Sequence, residues 1–373
     1  MSRNNLRYGY TTGACAAAAA KGAAQMLRDQ RIVEDVELHL PSGETVRFPL
    51  RGQKLHDSAA SCFVVKDAGD DPDVTNGIEI HARVSIDFFT PRRIILEGGV
   101  GIGRVTKPGL AVAVGGWAIN PVPRRMILEG IKEVFAVRCV PATLTISLSI
   151  PDGVDRAKKT LNERLGILGG LSILGTTGIV KPISSRAWTD TIDTALDVAL
   201  ACGCTTVVCS TGRTSEMAAQ EYFSHEARTQ SSGVKGTRRG ERLPEEAYVM
   251  MGDHVGYAVR GAAGKGVGRL VIAGQFAKLL KIACGHEQTH SSSAELDLGV
   301  MADWISHEPG MARLIPLAKQ ANTARELLEL SGNDPGLVSL VCGKVRACAE
   351  RMAPGLKVKV LLAGYGTGVL YFG

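Results

Sequence analysis

The order of apolar and polar positions gives the chain two textures. Residues 11 to 30 read as a helix, because Thr11 and Thr12 can cap it and Ala14 to Leu27 is rich in strong helix formers. Val33 to Leu40 and Thr45 to Leu50 alternate apolar with polar residues around Pro41-Ser42-Gly43, the pattern of a hairpin. Ile78 to Phe88 and Leu144 to Ile150 alternate again, Arg93 to Leu96 adds a short strand, and residues 125 to 136 have helical spacing. This first part predicts an α+β domain spanning 1–165.

After about residue 165, glycine turns separate apolar strands from long amphipathic helices. Trp188 to Cys202 leads into Thr205 to Cys209, Leu270 to Ala273 into the helical Gln275 to Cys284, and Val358 to Ala363 supplies a last strand. Residues 166–373 are therefore expected to form a Rossmann-like, doubly wound α/β domain. Between these elements, Ser224 to Glu246 is polar and poor in large apolar residues, which suits a lid or a plain surface insertion.

Composition agrees with two domains. A chain of 373 residues exceeds what one core organises at roughly 150 residues per domain. Hydrophobic residues at 45% and charged residues at 21% place it among globular proteins, and 44 glycines with 5% aromatics favour βα turns over a sandwich. The net charge of +6 is spread along the chain, without the clustered arm or aromatic-interleaved patch of a nucleic-acid binder, so a polyanionic small molecule is the better partner. No stretch reaches the ~18 apolar residues of a membrane span and Met1-Ser2-Arg3-Asn4-Asn5 lacks a signal-peptide core, so a cytoplasmic location is expected. Nine cysteines without regular spacing predict reduced thiols, and the cluster Cys202, Cys204 and Cys209 lacks the second matched pair of a zinc site.

Several segments carry chemistry. Thr11, Thr12 and Gly13 stand at a helix start, where unpaired N–H groups can hold a carboxylate or phosphate, although an ordinary threonine cap explains them equally. Lys66 to Asp73 places four carboxylates in a short loop, either solvated or fixing a nearby Lys or Arg. Glu97 to Arg104 is glycine-rich, but Val105-Thr106-Lys107-Pro108-Gly109 cannot open a helix, so the dinucleotide fingerprint fails; Gly101 and Gly103 leave backbone that a bulky ligand could approach, beside Arg104 and Lys107. Gly175-Thr176-Thr177-Gly178 and Ser210-Thr211-Gly212 both follow strands, and in a doubly wound sheet both turns would line one crevice. His286 and His290 are four apart in a loop-like stretch, with His290 a candidate acid or base.

Taken together, Arg7 to Gly13, Lys66 to Thr75, Gly98 to Gly109, Ala118 to Arg124 and Leu174 to Val180 closely resemble the cobalt-precorrin-5B C(1)-methyltransferase family in order and spacing, over most of the chain. The resemblance implies transfer of a methyl group from S-adenosylmethionine to C1 of cobalt-precorrin-5B, giving cobalt-precorrin-6A in oxygen-independent cobalamin biosynthesis. Cobalt would arrive inside the substrate, and no protein metal site is implied.

On this reading Gly175, Thr176, Thr177, Gly178, Thr211 and Gly212 face the methyl donor. Thr11, Thr12, Gly13, Asp67, Asp73, Gly101, Gly103, Arg104 and Lys107 face the macrocycle, and His290 or Asp70 would move a proton. The chain departs from the expected pattern at Gly274-Gln275 and Leu296-Asp297-Leu298, which weakens any role given to residues 275 to 298. A nucleotide-dependent kinase or dehydrogenase and a non-catalytic tetrapyrrole carrier are the competing readings. A homo-oligomer and transient contact with other pathway enzymes are compatible with the sequence and unreadable from it.

Overall fold

The computed structural model describes residues 6–91, 93–135, 143–182, 184–229, 242–291, 293, 296, 298–366 and 368–373. It is a mixed α/β protein with several sheets, divided into two compact units, Met1–Ser185 and Arg186–Gly373.

In the first unit, β1 (Gly9–Tyr10) leads into α1 (Thr12–Asp29), followed by β2 (Asp35–His39), β3 (Thr45–Pro49), β4 (Arg51–His56), β5 (Ala59–Val65), β6 (Glu79–Asp87) and β7 (Arg93–Gly98). Then come β8 (Gly101–Ile102), β9 (Arg104–Val105), α2 (Pro121–Val134), β10 (Thr143–Ser149), α3 (Gly153–Ala157), β11 (Ile167–Leu168), β12 (Gly170–Leu171) and β13 (Ile179–Val180). The main sheet has the order β4-β5-β6-β10-β7, antiparallel except where β10 meets β7. Helix α1 packs on β5, β6 and α2. Its run Ala14 to Ala20 is fully enclosed, since small side chains let the helix backbone lie close to its neighbours. Gly22 belongs to the same contact, because a Cβ there would stand 2.4 Å from a Leu50 methyl.

The second unit runs through α4 (Ser185–Ala201), β14 (Thr206–Ser210), α5 (Arg213–Thr229), β15 (Tyr248–Met250), α6 (Val255–Gly264), β16 (Arg269–Gln275) and α7 (Phe276–Ala283). It ends with α8 (Gly299–Ser306), α9 (Ile315–Gln320), α10 (Ala324–Leu330), α11 (Pro335–Met352), β17 (Lys357–Ala363) and β18 (Val369–Phe372). Its five-stranded sheet, β15-β14-β16-β17-β18, is parallel except for β18. All five residues of β14 and the stretch Leu270 to Gly274 are buried, as expected for strands covered on both faces. Among the described residues, no helix is long and apolar enough to cross a membrane.

The division between units falls at Ser185, not near 165. Residues 166–182 belong to the first unit because β11 pairs with β9, β12 with β8 and β13 with β1. Helix α5 opens directly after the Ser210-Thr211-Gly212 turn. The polar segment Ser224 to Glu246 is helical as far as Thr229, and its part at 230–241 lies outside the described residues.

Candidate functional site

Two neighbourhoods gather the candidate residues, one in each unit. In the first, the segment Arg7 to Tyr10 clasps the acidic loop. Arg7 N–H donates to Asp70 Oδ2 at 2.7 Å, its guanidinium grips both Asp67 oxygens, and Tyr10 N–H donates to the Asp67 carbonyl at 2.7 Å. Two glycines make this approach possible: a Cβ on Gly9 would lie 2.0 Å from the Ala68 carbonyl carbon, and one on Gly69 would lie 2.2 Å from the Arg7 oxygen. The Arg7 hydrogen bond, followed by the Gly69 N–H, holds the Asp67 carboxyl below its usual range.

Behind them Lys66, 2% exposed, reaches Asp73 Oδ2 at 2.6 Å, and the Thr75 amide and hydroxyl each donate to Asp73 at 2.7 Å. Burial alone would raise the Asp73 pKa, but Lys66 and Thr75 outweigh it and keep the pKa below the ordinary value. Asp67 and Asp73, expected to face the macrocycle, thus fix Arg7 and Lys66. Asp70 is exposed and holds the Arg7 amide.

The Thr11 to Gly13 block is likewise turned inward. Thr11 caps α1 by accepting from Ala14 N–H at 3.2 Å, and its own N–H donates to the Gly178 carbonyl at 3.0 Å. Thr12, 3% exposed, accepts from Leu174 N–H at 2.9 Å and donates to the carbonyls of Leu174 (3.2 Å) and Ser172 (3.3 Å). Gly13 N–H donates to the Leu174 carbonyl at 2.9 Å. These residues, expected to face the macrocycle, bind the segment Ser172 to Gly178, in which Thr176 and Thr177 are exposed. Thr12→Val should cost about 1–3 kcal/mol by orphaning the Leu174 amide, measured by thermal unfolding.

Gly101 and Gly103 are also packed. Gly101 has φ +74°, and a Cβ there would lie 1.9 Å from the Ile150 oxygen; one on Gly103 would lie 2.4 Å from an Ile167 methyl. Backbone expected to be bare to a ligand is covered by Ile150, Gly153 and β12. Arg104 is exposed, stacks on Trp117 at 3.5 Å from the ring centroid and donates to the Gly115 carbonyl at 2.6 Å. Lys107 donates to the Arg164 carbonyl at 3.0 Å. The chain Gly103–Ala118–Ile173 of backbone hydrogen bonds joins this stretch to the segment that leads into the 174–178 turn.

The second neighbourhood lies at the carboxyl end of the parallel sheet. Thr211 N–H donates to the Ala273 carbonyl at 2.9 Å, bringing the Ser210-Thr211-Gly212 turn against the end of β16. Gly212 precedes α5, and among the described residues no atom lies within 4 Å of where its Cβ would stand. Ser210 is fully buried, and its hydroxyl has no hydrogen-bond partner among the described residues. The turn Gly175 to Gly178, expected to line this crevice as well, belongs to the other unit, because β13 pairs with β1 and not with the parallel sheet.

Sequence reasoning missed a polar network beside this turn. Asp253, just past β15, accepts on Oδ1 from Lys278 and from the Thr289 hydroxyl at 2.6 Å, and Lys278 also reaches the Thr289 carbonyl at 3.1 Å. Burial pushes the Asp253 pKa up, but the hydrogen bonds from Lys278 and Thr289 and the charges of Lys278 and His290 carry it below its usual value. The signal was an Asp three residues past the end of β15 in a βα turn, with a Lys in α7, the helix after the following strand. His290 is exposed at the edge of this network. Among the described residues no group of three or more His, Cys, Asp or Glu is arranged to hold a metal ion.

Residues 1–182 match the family model described as CbiD, and residues 288–371 match CbiD, C-terminal domain. The chain is similar to a cobalt-precorrin-5B C(1)-methyltransferase of Geobacter sp. (strain M21), 62% identical over 373 residues that cover 100% of this chain and 99% of that protein. It is also similar to one of Geobacillus kaustophilus (strain HTA426), 41% identical over 87% of this chain and 82% of that protein. A crystal structure of a cobalamin biosynthesis protein (cbiD) from Archaeoglobus fulgidus is 30% identical over 76% of this chain and 81% of that one, with a TM-score of 0.39. The full-length identity, together with the two family models, places this chain in the CbiD family.

Proposed function

We propose that the protein is a cobalt-precorrin-5B C(1)-methyltransferase of cobalamin biosynthesis, using S-adenosylmethionine to methylate C1 of the cobalt macrocycle and so give cobalt-precorrin-6A. The 62% identity across the whole length to a Geobacter sp. protein of that name carries this reading.

The strand order of the second unit supports a Rossmann-like, doubly wound interpretation. From β14 the chain passes first to β15 on one side and then back to β16 and β17 on the other, and ligands of such sheets bind where the strands diverge. That point is the Ser210 to Gly212 turn beside Ala273. The open approach at Gly212, the buried Ser210 hydroxyl and the first turn of α5 suit an adenosyl donor carrying a carboxylate. When bound there, S-adenosylmethionine supplies an electrophilic methyl group, and the ring carbon supplies the electron pair.

The protein's task is alignment of two reactants, which can be worth about 7–11 kcal/mol. Thr211 and Gly212 would hold the donor. Arg104, with Thr176 and Thr177, would meet the carboxylates of the macrocycle, and Thr11, Thr12 and Gly13 would position that turn from behind. His290 and Asp70, both exposed, remain the groups for moving a proton; a rate unaltered by replacing each with Ala would remove them.

Anaerobic incubation with labelled S-adenosylmethionine and cobalt-precorrin-5B is expected to place label in the macrocycle, and macrocycle binding without transfer would favour a carrier instead. Gly212→Val should lower stability by no more than about 1 kcal/mol, the cost of a poorer cap at an open position. The same substitution should weaken binding of S-adenosylhomocysteine at least roughly tenfold, through steric overlap where a ligand must approach the backbone. Calorimetric titration checks this, and unchanged affinity would move the donor away from the turn.

A further inference from the structure

We propose that the loop Met251 to His254 and the indole of Trp188 form the adenosine pocket of the second unit, with Trp188 stacking on the adenine and Asp253 accepting from the ribose hydroxyls. This inference deepens the donor reading above and rests on it.

The loop is anchored to the divergence point of the sheet. Met251 N–H and Gly252 N–H both donate to the Ser210 carbonyl, at 2.9 and 3.2 Å, so residues 251–254 border the turn that precedes Gly212. Trp188, near the start of α4, lies on this loop. Its Nε1–H donates to the Met251 carbonyl at 3.1 Å, and its ring is stacked with His254 at 6.3 Å between centroids and 25° between planes. Gly252 adopts φ +56°, and a Cβ there would stand 2.8 Å from the indole, so the loop lies flat against the ring. A tryptophan fixed in this way and still 47% exposed is a preorganised surface for a planar base.

Asp253 follows in the same loop. Lys278 and the Thr289 hydroxyl both bind Oδ1, which fixes the carboxylate ionised and in one orientation. The side chain stays 25% exposed, and an ionised carboxylate is an acceptor only, suited to the two hydroxyl donors of a ribose. In sheets of this winding, an acidic residue past the second strand meets the ribose of a nucleotide whose remainder lies at the first turn. Here β15 is that second strand and Asp253 that residue.

The test measures binding of S-adenosylhomocysteine and its 2′,3′-dideoxy counterpart to the full chain, by titration calorimetry and by tryptophan fluorescence. Wild-type protein is expected to bind the ribose form at least roughly tenfold more tightly than the dideoxy form. Asp253→Asn should abolish most of that preference while binding the dideoxy form as wild type does. Trp188→Leu should weaken S-adenosylhomocysteine roughly ten- to a hundredfold, Trp188→Phe should recover most of the loss, and the ligand-induced fluorescence change should vanish in both.

An Asp253→Asn variant weakened equally toward both ligands would make Asp253 a structural residue and overturn the ribose assignment. Full affinity in Trp188→Leu would overturn the stacking. Should Asp253→Asn fail to fold, the wild-type preference and the Trp188 pair decide alone. Failure of the wild type to bind S-adenosylhomocysteine would instead remove the donor reading itself.

Discussion

Lys66→Met is expected to destabilise the first unit by about 3 kcal/mol, the cost of leaving a largely enclosed carboxylate without its cation. The Lys66 side chain is 1% exposed and holds Asp73 at 2.6 Å in a pair whose acid side chain is 26% exposed. The double variant Lys66→Met with Asp73→Asn should recover much of the loss, since an amide carries no charge to strand. The pH dependence has a definite sign. Asp73 has its folded pKa below the unfolded value, so its contribution is present above about pH 4 and is lost as pH falls through the folded value. In Lys66→Met the lowering by Lys66 is gone, and only the Thr75 amide and hydroxyl still oppose the upward push of burial on the same pKa. The stability gap between wild type and variant should therefore narrow between pH 7 and pH 3 in urea titrations. A gap that widens on acidification would refute the pairing.

Gly101→Ala should cost about 3 kcal/mol or more, and soluble expression should fall with it. Two effects coincide. The backbone at φ +74° is one that side chains rarely adopt, and the added Cβ would stand 1.9 Å from the Ile150 oxygen and 3.1 Å from Gly153 Cα. Neither neighbour is a flexible side chain, so β8 would have to leave β12. Gly169→Ala provides the contrast. It shares a positive φ of +81°, but among the described residues nothing lies within 4 Å of the new atom, so only the backbone strain of about 1 kcal/mol remains. Equal losses at the two positions would show that strain, and not packing, governs Gly101.

Local pattern made the strongest elements legible. The threonine cap and alanine run foretold α1, the Pro41-Ser42-Gly43 turn foretold the pairing of β2 with β3, and apolar runs located β14, β16 and β17. The long-range pairings carried no such sign. Strand β4 lacked a clear alternation, because Arg51 to His56, at the edge of the sheet, is polar apart from Gly52 and Leu55. The two-residue strands of segment 166–182 exist only through partners some 60 to 170 residues away, so texture alone put that segment with the wrong half.

The candidate site was readable to the same extent. Thr211 and Gly212 stood out because a strand, a glycine and a helix follow one another. Asp67, Asp73 and Thr12 look the same in sequence whether they meet a ligand or another part of the chain. Only the structure shows Arg7, Lys66 and Leu174 beside them. Trp188 and Asp253 were passed over because 65 residues separate groups that come together on one loop.

The pairing of β1 with β13 also bears on when the protein can form during synthesis. Gly9 meets Val180 and Thr12 bonds to Leu174, so the head of α1 lacks these partners until nearly half of the polypeptide has left the ribosome. At about 5–20 residues per second, that interval is roughly 10–35 s. Throughout it the apolar alanine helix lacks the turn that closes over its first residues, and contacts of such sequence separation are slow to find. A translational pause placed after residue 180 would therefore favour folding of the first unit more than one placed before it.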